Sequence, residues 1–269
     1  MIDRRDDERF QKGAQEYAAY LESPDGRLRA DLAFANLQDF LSPSQANEPR
    51  YALDVGCGTG EMAVRLARLG FHVTQLDSSQ AMLAITKRTA EEAGVTNSVT
   101  LRQGDAARLM DLFGTASFDV VLCHNILEYV DDPTVVLRAA ARLLRDSSAI
   151  LSTIVRNRAG EVIKAALQGS DLAAAEANLT ADWGFESLYG GSVRLFTPAG
   201  LQAMLNAVSL TVIAERGVRV LADYLPPRIS RTSDYARVLE LERKLGSRPE
   251  FAAVARYTHC LARRTEKSA

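Results

Sequence analysis

No stretch of this 269-residue sequence approaches the roughly 18 consecutive apolar residues that a bilayer-spanning helix needs. Cysteine is scarce. Cys57, Cys123 and Cys260 are odd in number, far apart and free of any Cys-x-x-Cys spacing, which excludes a disulfide framework and a zinc site and points to reduced thiols. Charge of one sign is missing too: 32 basic residues stand against 34 acidic ones, for a formal net charge of −2. Such a balance gives no global pull toward nucleic acid or an anionic membrane. The first eight residues, Met1 to Glu8, are highly charged and contain no apolar signal core, so a cytoplasmic, soluble protein is expected. Low-complexity tracts and internal repeats are absent, and no cluster reads as a metal site.

What is present is organised around Leu53-Asp54-Val55-Gly56-Cys57-Gly58-Thr59-Gly60-Glu61. An apolar approach (Tyr51, Ala52, Leu53) runs into a glycine-rich turn, and a helical pattern (Met62, Val64, Leu66, Leu69) follows. Glycines there permit positive φ and bring bare backbone close to a ligand. The spacing is Gly-x-Gly-x-Gly, one residue short of the dinucleotide fingerprint, and Glu61 occupies the third glycine's place. With Asp54 at the strand end, the loop suits a cationic, phosphate-free cofactor better than a pyrophosphate. A nicotinamide-dependent oxidoreductase is therefore disfavoured.

Strands are predicted at 51–55, 72–76, 98–102, 118–123, 149–155, 209–214 and 254–262, with helices near 60–69, 80–93, 106–112 and 133–145. This alternation predicts a parallel α/β sheet with a ligand crevice at the strand C-termini. Residues 1–45 read as an N-terminal helical cap, with Phe10, Ala14, Tyr17 and Leu21 on one face and a break at Pro24-Asp25-Gly26. Ser42 to Arg50, with Pro43 and Pro49, reads as the linker into a core spanning 46–269. Residues 157–193 break the rhythm as a helical insertion followed by a loop with Trp183, Phe185 and Tyr189, a lid or substrate wall. Thr197 and Pro198 mark another helix start.

Acids recur at successive strand ends. Asp77 closes the second strand, where a carboxylate accepts two ribose hydroxyls, or else caps the next helix together with Ser78 or Ser79. Met82 packs near an adenine or simply in the core. Asp105, followed by Ala106, is placed for an exocyclic amine, or is a turn aspartate. His124 falls at the end of the fourth strand. Cofactor contact, a substrate hydrogen bond, general-base work and a bridge between backbone groups all stay open for it. Glu128 and Tyr129 are read as serving helix entry and packing.

The glycine loop resembles motif I of the class I S-adenosylmethionine-dependent methyltransferases. Further stretches are similar to the bacterial tRNA carboxymethoxyuridine methyltransferase family, which esterifies the carboxylate of a modified wobble uridine. They are Gly26-Arg27-Leu28-Arg29, Leu122-Cys123-His124, Leu127-Glu128-Tyr129-Val130, Gly217-Val218-Arg219-Val220, Asp223-Tyr224-Leu225, Leu239-Glu240-Leu241-Glu242 and Arg256-Tyr257-Thr258-His259. The resemblance implies a Rossmann-like seven-stranded methyltransferase sheet, and cofactor contacts at Arg29, Gly56, Cys57, Asp77, Ala106 and His124. Arg29 would take the methionyl carboxylate. Asp54, Gly58, Gly60, Met82 and Asp105 complete the cofactor set, and Arg219 and Tyr224 are expected near the acceptor.

One feature departs from the family. Between Ala159 and Gly191 the only basic residue is Lys164, against Glu161, Asp171, Glu176, Asp182 and Glu186. An acidic wall argues against tRNA, whose affinity rests on phosphate neutralisation. From Arg216 to Ala269, 12 basic residues against 6 acids partly offset it. The acceptors to separate are a tRNA carboxylate and a small-molecule acid, alcohol or amine. A cofactor-binding protein without catalysis is the reading of another class.

Overall fold

The computed structural model describes residues 9–41, 48–115, 117–186, 188, 190–226, 229 and 233–265. The leading charged residues, Pro43, Tyr189 and Pro227 lie outside that set. Two helices, α1 (Ala14–Glu22) and α2 (Pro24–Gln38), precede the sheet. They meet at Ser23, whose Oγ accepts from Gly26 N while Pro24 takes the first helical position.

The sheet strands are β1 (Arg50–Val55), β2 (Phe71–Asp77), β3 (Val99–Gln103), β4 (Val120–His124), β5 (Ile150–Arg156), β8 (Leu210–Val218) and β9 (Tyr257–Arg264). Their spatial order is β3-β2-β1-β4-β5-β9-β8. The first five strands run parallel, and β9 is antiparallel to both β5 and β8. Between them lie α3 (Glu61–Arg68), α4 (Gln80–Glu92), α5 (Leu109–Phe113) and α6 (Pro133–Leu143). The order turns back at β1 and β4, so their C-terminal ends open the crevice that an open parallel sheet offers to ligands.

Both faces of the sheet are covered. Val121 and Cys123 of β4 face one core with Leu137, Leu143 and Leu151, while Val120 and Leu122 face another with Leu66, Val73 and Leu37. Each fully buried aliphatic contributes about 1.5–3 kcal/mol over its exposed state. That is why the central strands read as unbroken apolar runs.

After β5 the insertion forms α7 (Arg158–Leu167), α8 (Leu172–Asn178) and a small hairpin, β6 (Trp183–Phe185) with β7 (Ser192–Arg194). The sequence predicts a loop where this hairpin lies. Each strand is three residues long and its aromatics face outward, which leaves no apolar alternation to detect. Next, α9 (Pro198–Ala207) starts as expected, with Thr197 Oγ1 accepting from Gly200 N at 3.0 Å.

The last helices, α10 (Tyr235–Gly246) and α11 (Pro249–Ala252), back the end of β8. There the fully buried Glu242 carboxylate accepts from three consecutive backbone N–H groups, Val220 (2.6 Å), Leu221 (3.0 Å) and Ala222 (2.6 Å). This cradle fixes the turn carrying Arg219, which sits at φ +60°, a conformation that non-glycine residues adopt only when held. We expect Glu242→Gln, which presents an amide NH2 to backbone donors, to lower the urea-unfolding free energy by about 2–3 kcal/mol. A change below about 0.5 kcal/mol, the range of ordinary surface substitutions, would remove the cradle from the account.

Candidate active site

A cavity of about 380 Å³ opens at the C-terminal ends of the parallel strands, roofed by α1 and α2 and walled by the insertion. Its floor is the glycine loop. Gly56 has φ +68°, and a Cβ there would come within 2.8 Å of the Ile126 side chain. Gly58 has φ +55°, with the Tyr17 ring 3.0 Å from the Cβ it lacks. The loop is tied to β2: Gly56 N and Cys57 N both donate to Leu76 O, and Gly58 N donates to Asp77 Oδ2 at 3.0 Å. Asp77 Oδ1 accepts from Ser79 N at 2.9 Å, so this carboxylate is fixed from both sides and lines the cavity.

The sequence-predicted residues separate by position. Arg29, Gly56, Gly58, Asp77, Met82, Asp105, Ala106, His124 and Arg219 all line the main cavity. Asp54 and Cys57 line a smaller adjoining recess of about 60 Å³, which Arg29, Gly56 and His124 also touch. Gly60 lines neither. Its missing Cβ would strike Gln75 and Thr86, so it turns the chain into α3. Tyr224 also stands behind the wall: its hydroxyl is buried without a hydrogen-bond partner, and the neighbouring Asp223 faces the cavity. Asp105 does double duty, with Oδ1 accepting from Ala107 N at 2.8 Å to cap a short turn.

Charge in the inner half is unevenly satisfied. Asp54 is buried, and burial together with the Asp77 charge pushes its carboxyl up to about 7. Arg29 donates to Tyr17 Oη at 2.8 Å, and its guanidinium lies 5.7, 5.3 and 5.7 Å from the Tyr17, Tyr20 and Tyr257 ring centroids. It has no carboxylate partner among the described residues. His124 is neutral, because burial, with the Arg29 charge adding, pulls it down to about 3.

The outer half is an interlocked set of ion pairs. Arg219 Nε meets Asp223 Oδ1 at 2.8 Å, and its Nη1 donates to Tyr20 Oη at 2.7 Å. Arg256 lies 3.2 Å from Asp223 Oδ2 and 3.0 Å from Glu161 Oε1. Arg156 reaches Glu161 at 3.4 Å and pairs closely with Glu186. Tyr257 lines the same cavity, with the Arg256 guanidinium 5.9 Å from its ring centroid. Burial raises its phenol, but Arg29, Arg156, Arg219 and Arg256 together overcome that and bring it down to about 8. Lys164 joins the wall without an ion pair among the described residues.

Glu128 is also part of the wall, beyond the packing role expected of it. Its Oε1 accepts from Asn125 Nδ2 (3.0 Å) and Arg156 N (2.8 Å), and Oε2 is buried without a hydrogen-bond partner. The acids of the insertion divide: Glu161 and Glu186 neutralise arginines of the core, whereas Asp171, which caps α8, Asp182, which pairs with Arg158 at 2.5 Å, and Glu176 are exposed. Sequence reasoning passed over Tyr257, Arg156, Arg256, Tyr17 and Tyr20 as functional groups. The available signal was arginine beside tyrosine at a strand start, which reads equally as ordinary edge chemistry.

Residues 53–152 match the family model described as a methyltransferase domain. The chain is 27% identical over 248 residues to the tRNA 5-carboxymethoxyuridine methyltransferase of Escherichia coli strain K12, covering 90% of each protein. Over 120 residues, 44% of this chain and 49% of the relative, it is 38% identical to a ubiquinone biosynthesis O-methyltransferase of Hahella chejuensis. Among solved structures, a Thermotoga maritima methyltransferase described as a possible histamine N-methyltransferase superposes with a TM-score of 0.63 at 16% identity. It covers 95% of this chain and 98% of its own, and at that identity it speaks for the fold. These likenesses give the chain a methyltransferase domain over residues 53–152 on a Rossmann-like fold and support an S-adenosylmethionine-dependent methyltransferase, similar along nine-tenths of its length to the tRNA carboxymethoxyuridine enzyme of Escherichia coli.

Proposed function

We propose that this enzyme methylates a carboxylate oxygen, namely that of the carboxymethoxy group on a tRNA wobble uridine. The carrying observation is that Arg29, Arg156, Arg219 and Arg256 line one cavity with Tyr257, whose phenol they draw down against its burial. Arg29 and Lys164, which have no carboxylate partner among the described residues, and the paired arginines beside them can meet an anionic oxygen, and a carboxylate is already ionised and needs no base. Relatedness over 90% of the chain to a tRNA-modifying enzyme supports this choice.

The residues present fit the cofactor. Arg29, a guanidinium among phenols with no carboxylate partner, suits the methionyl carboxylate. Asp54 suits the ammonium, Asp77 the ribose hydroxyls, and Met82, Asp105 and Ala106 the adenine. Gly56 and Gly58 allow the close approach, with Cys57 and His124 alongside. When bound, S-adenosylmethionine supplies an electrophilic methyl on a good leaving group. The chain's task is alignment. Tyr257, Arg219 and Lys164 orient the acceptor carboxylate, and the packed lid restricts water.

Of the insertion's five acids, Glu161 and Glu186 are held in pairs with core arginines, while Asp171, Glu176 and Asp182 are exposed. One feature of the lid supports tRNA. Trp183 and Phe185 alternate on one face of the lid hairpin, 52% and 68% exposed, with the Arg194 guanidinium 4.7 Å from the Trp183 ring. Exposed aromatics beside arginine are what unpaired anticodon-loop bases stack on.

Because Asp54 ionises near 7, a cationic cofactor prefers its charged form, so affinity is full above that pH and declines as pH falls through it. Calorimetry from pH 5.5 to 8 reads this directly. Asp54→Asn should flatten the dependence and weaken binding roughly tenfold. Unchanged affinity in the variant would remove Asp54 from the site.

Methyl transfer to tRNA bearing carboxymethoxyuridine should fall steeply with salt, and Trp183→Ala should raise KM about tenfold with kcat held. Equal turnover of a free small carboxylate, or indifference to salt, would move the acceptor to a small molecule.

A further inference from the structure

Beneath the cavity floor, a chain of buried polar side chains that none of the roles above uses leads to His124. Asn36 Nδ2 lies 3.3 Å from His259 Nδ1, His259 Nε2 lies 2.8 Å from Ser152 Oγ, and Ser152 Oγ lies 2.7 Å from His124 Nε2. The four residues come from α2, β9, β5 and β4, so the chain crosses from the N-terminal helices through the sheet to the cavity. Ser152 and His259 are fully buried, and Asn36 nearly so.

Hydrogen-bond polarity propagates along such a chain. An amide NH2 only donates, so His259 Nδ1 must accept. Both imidazoles are neutral: burial pulls His259 well below its ordinary value, with His124 and Arg216 adding, and His124 is pulled down likewise. A neutral imidazole carries one proton, so the proton of His259 is on Nε2 and is donated to Ser152 Oγ. The serine's single proton then goes to His124 Nε2, which accepts. Its own proton is left on Nδ1.

We infer that Asn36, His259 and Ser152 form a relay that fixes the tautomer of His124, so that His124 offers the cavity an N–H donor and not a basic lone pair. The three are positioning residues acting through His124. Only the functional consequence rests on the methyltransferase reading: a donor here can orient an electron-rich group, whereas the general-base role considered for His124 requires the opposite tautomer. An acceptor that arrives already ionised is consistent with this arrangement. The relay also links α2, which carries Arg29, to the end of β4 through side chains alone.

Long-range proton–nitrogen spectra of the full chain labelled with ¹⁵N-histidine test this, because there are only three histidines and His72→Gln assigns one of them. The wild type should show His124 protonated on Nδ1 with an unprotonated Nε2. Ser152→Ala should shift its nitrogens toward a tautomer average, and Ser152→Thr, which restores a hydroxyl, should return the wild-type pattern. Protonation of wild-type His124 on Nε2, or a His124 spectrum unmoved by Ser152→Ala, would overturn the relay. The spectra need no acceptor and no turnover, so their outcome is independent of which acceptor the enzyme uses.

Discussion

Guanidinium groups converging on a single buried phenol are the constraint on which the rest of this structure depends. Arg156 closes β5, Arg256 immediately precedes β9, and Arg219 follows β8 in a left-handed conformation. Each would be a costly buried charge alone, and each is held by an acid: Arg156 and Arg256 by Glu161 of the insertion, Arg156 also by Glu186, and Arg219 and Arg256 by Asp223, four residues after Arg219. Removing one partner leaves an uncompensated ion, a change that typically destabilises by several kcal/mol. The insertion is thereby bound to the sheet as a wall. Helix α7 reinforces it, since a Cβ at Gly160 would lie 2.5 Å from Ala255 O.

The cavity consequently has two electrostatic characters. Its inner half holds carboxylates at strand ends, with Asp77 anchored by two backbone N–H groups and Asp54 close to half ionised at neutral pH. Its outer half centres on cations around Tyr257. Under the proposed function, a cofactor bearing ammonium, hydroxyl and carboxylate groups would occupy the first together with Arg29, and an anionic acceptor the second. The arrangement brings opposite charges toward one another and leaves to the protein mainly the work of alignment.

Much of this was legible in the sequence, for reasons that differ by element. All seven sheet strands begin within three residues of where the apolar pattern puts them, most plainly the central β1, β4 and β5, buried parallel strands that read as continuous hydrophobic runs. The glycine loop, Asp77, Asp105 and His124 declare themselves by sitting at strand ends. Long-range ion pairing was not legible: Glu161 is 95 residues from Arg256, and nothing local distinguishes a carboxylate that neutralises a buried arginine from a solvated one. The insertion therefore reads as acidic throughout, whereas Glu161 and Glu186 are turned to core arginines and Asp171, Glu176 and Asp182 remain exposed. Tyr257 was hidden for a related reason, since its environment comes from four separate segments. Gly60 carries a packing demand that the sequence does not show, since a glycine needed to pack against Gln75 has the same sequence signature as one lining a ligand.

The account stands on the positive field at Tyr257, and that field can be read optically. Ultraviolet difference titration of the wild type against Tyr257→Phe isolates one phenol among eight. A single ionisation near pH 8, missing in the variant, is the predicted result. A Tyr257 phenol that ionises at or above the ordinary value of about 10 would contradict it.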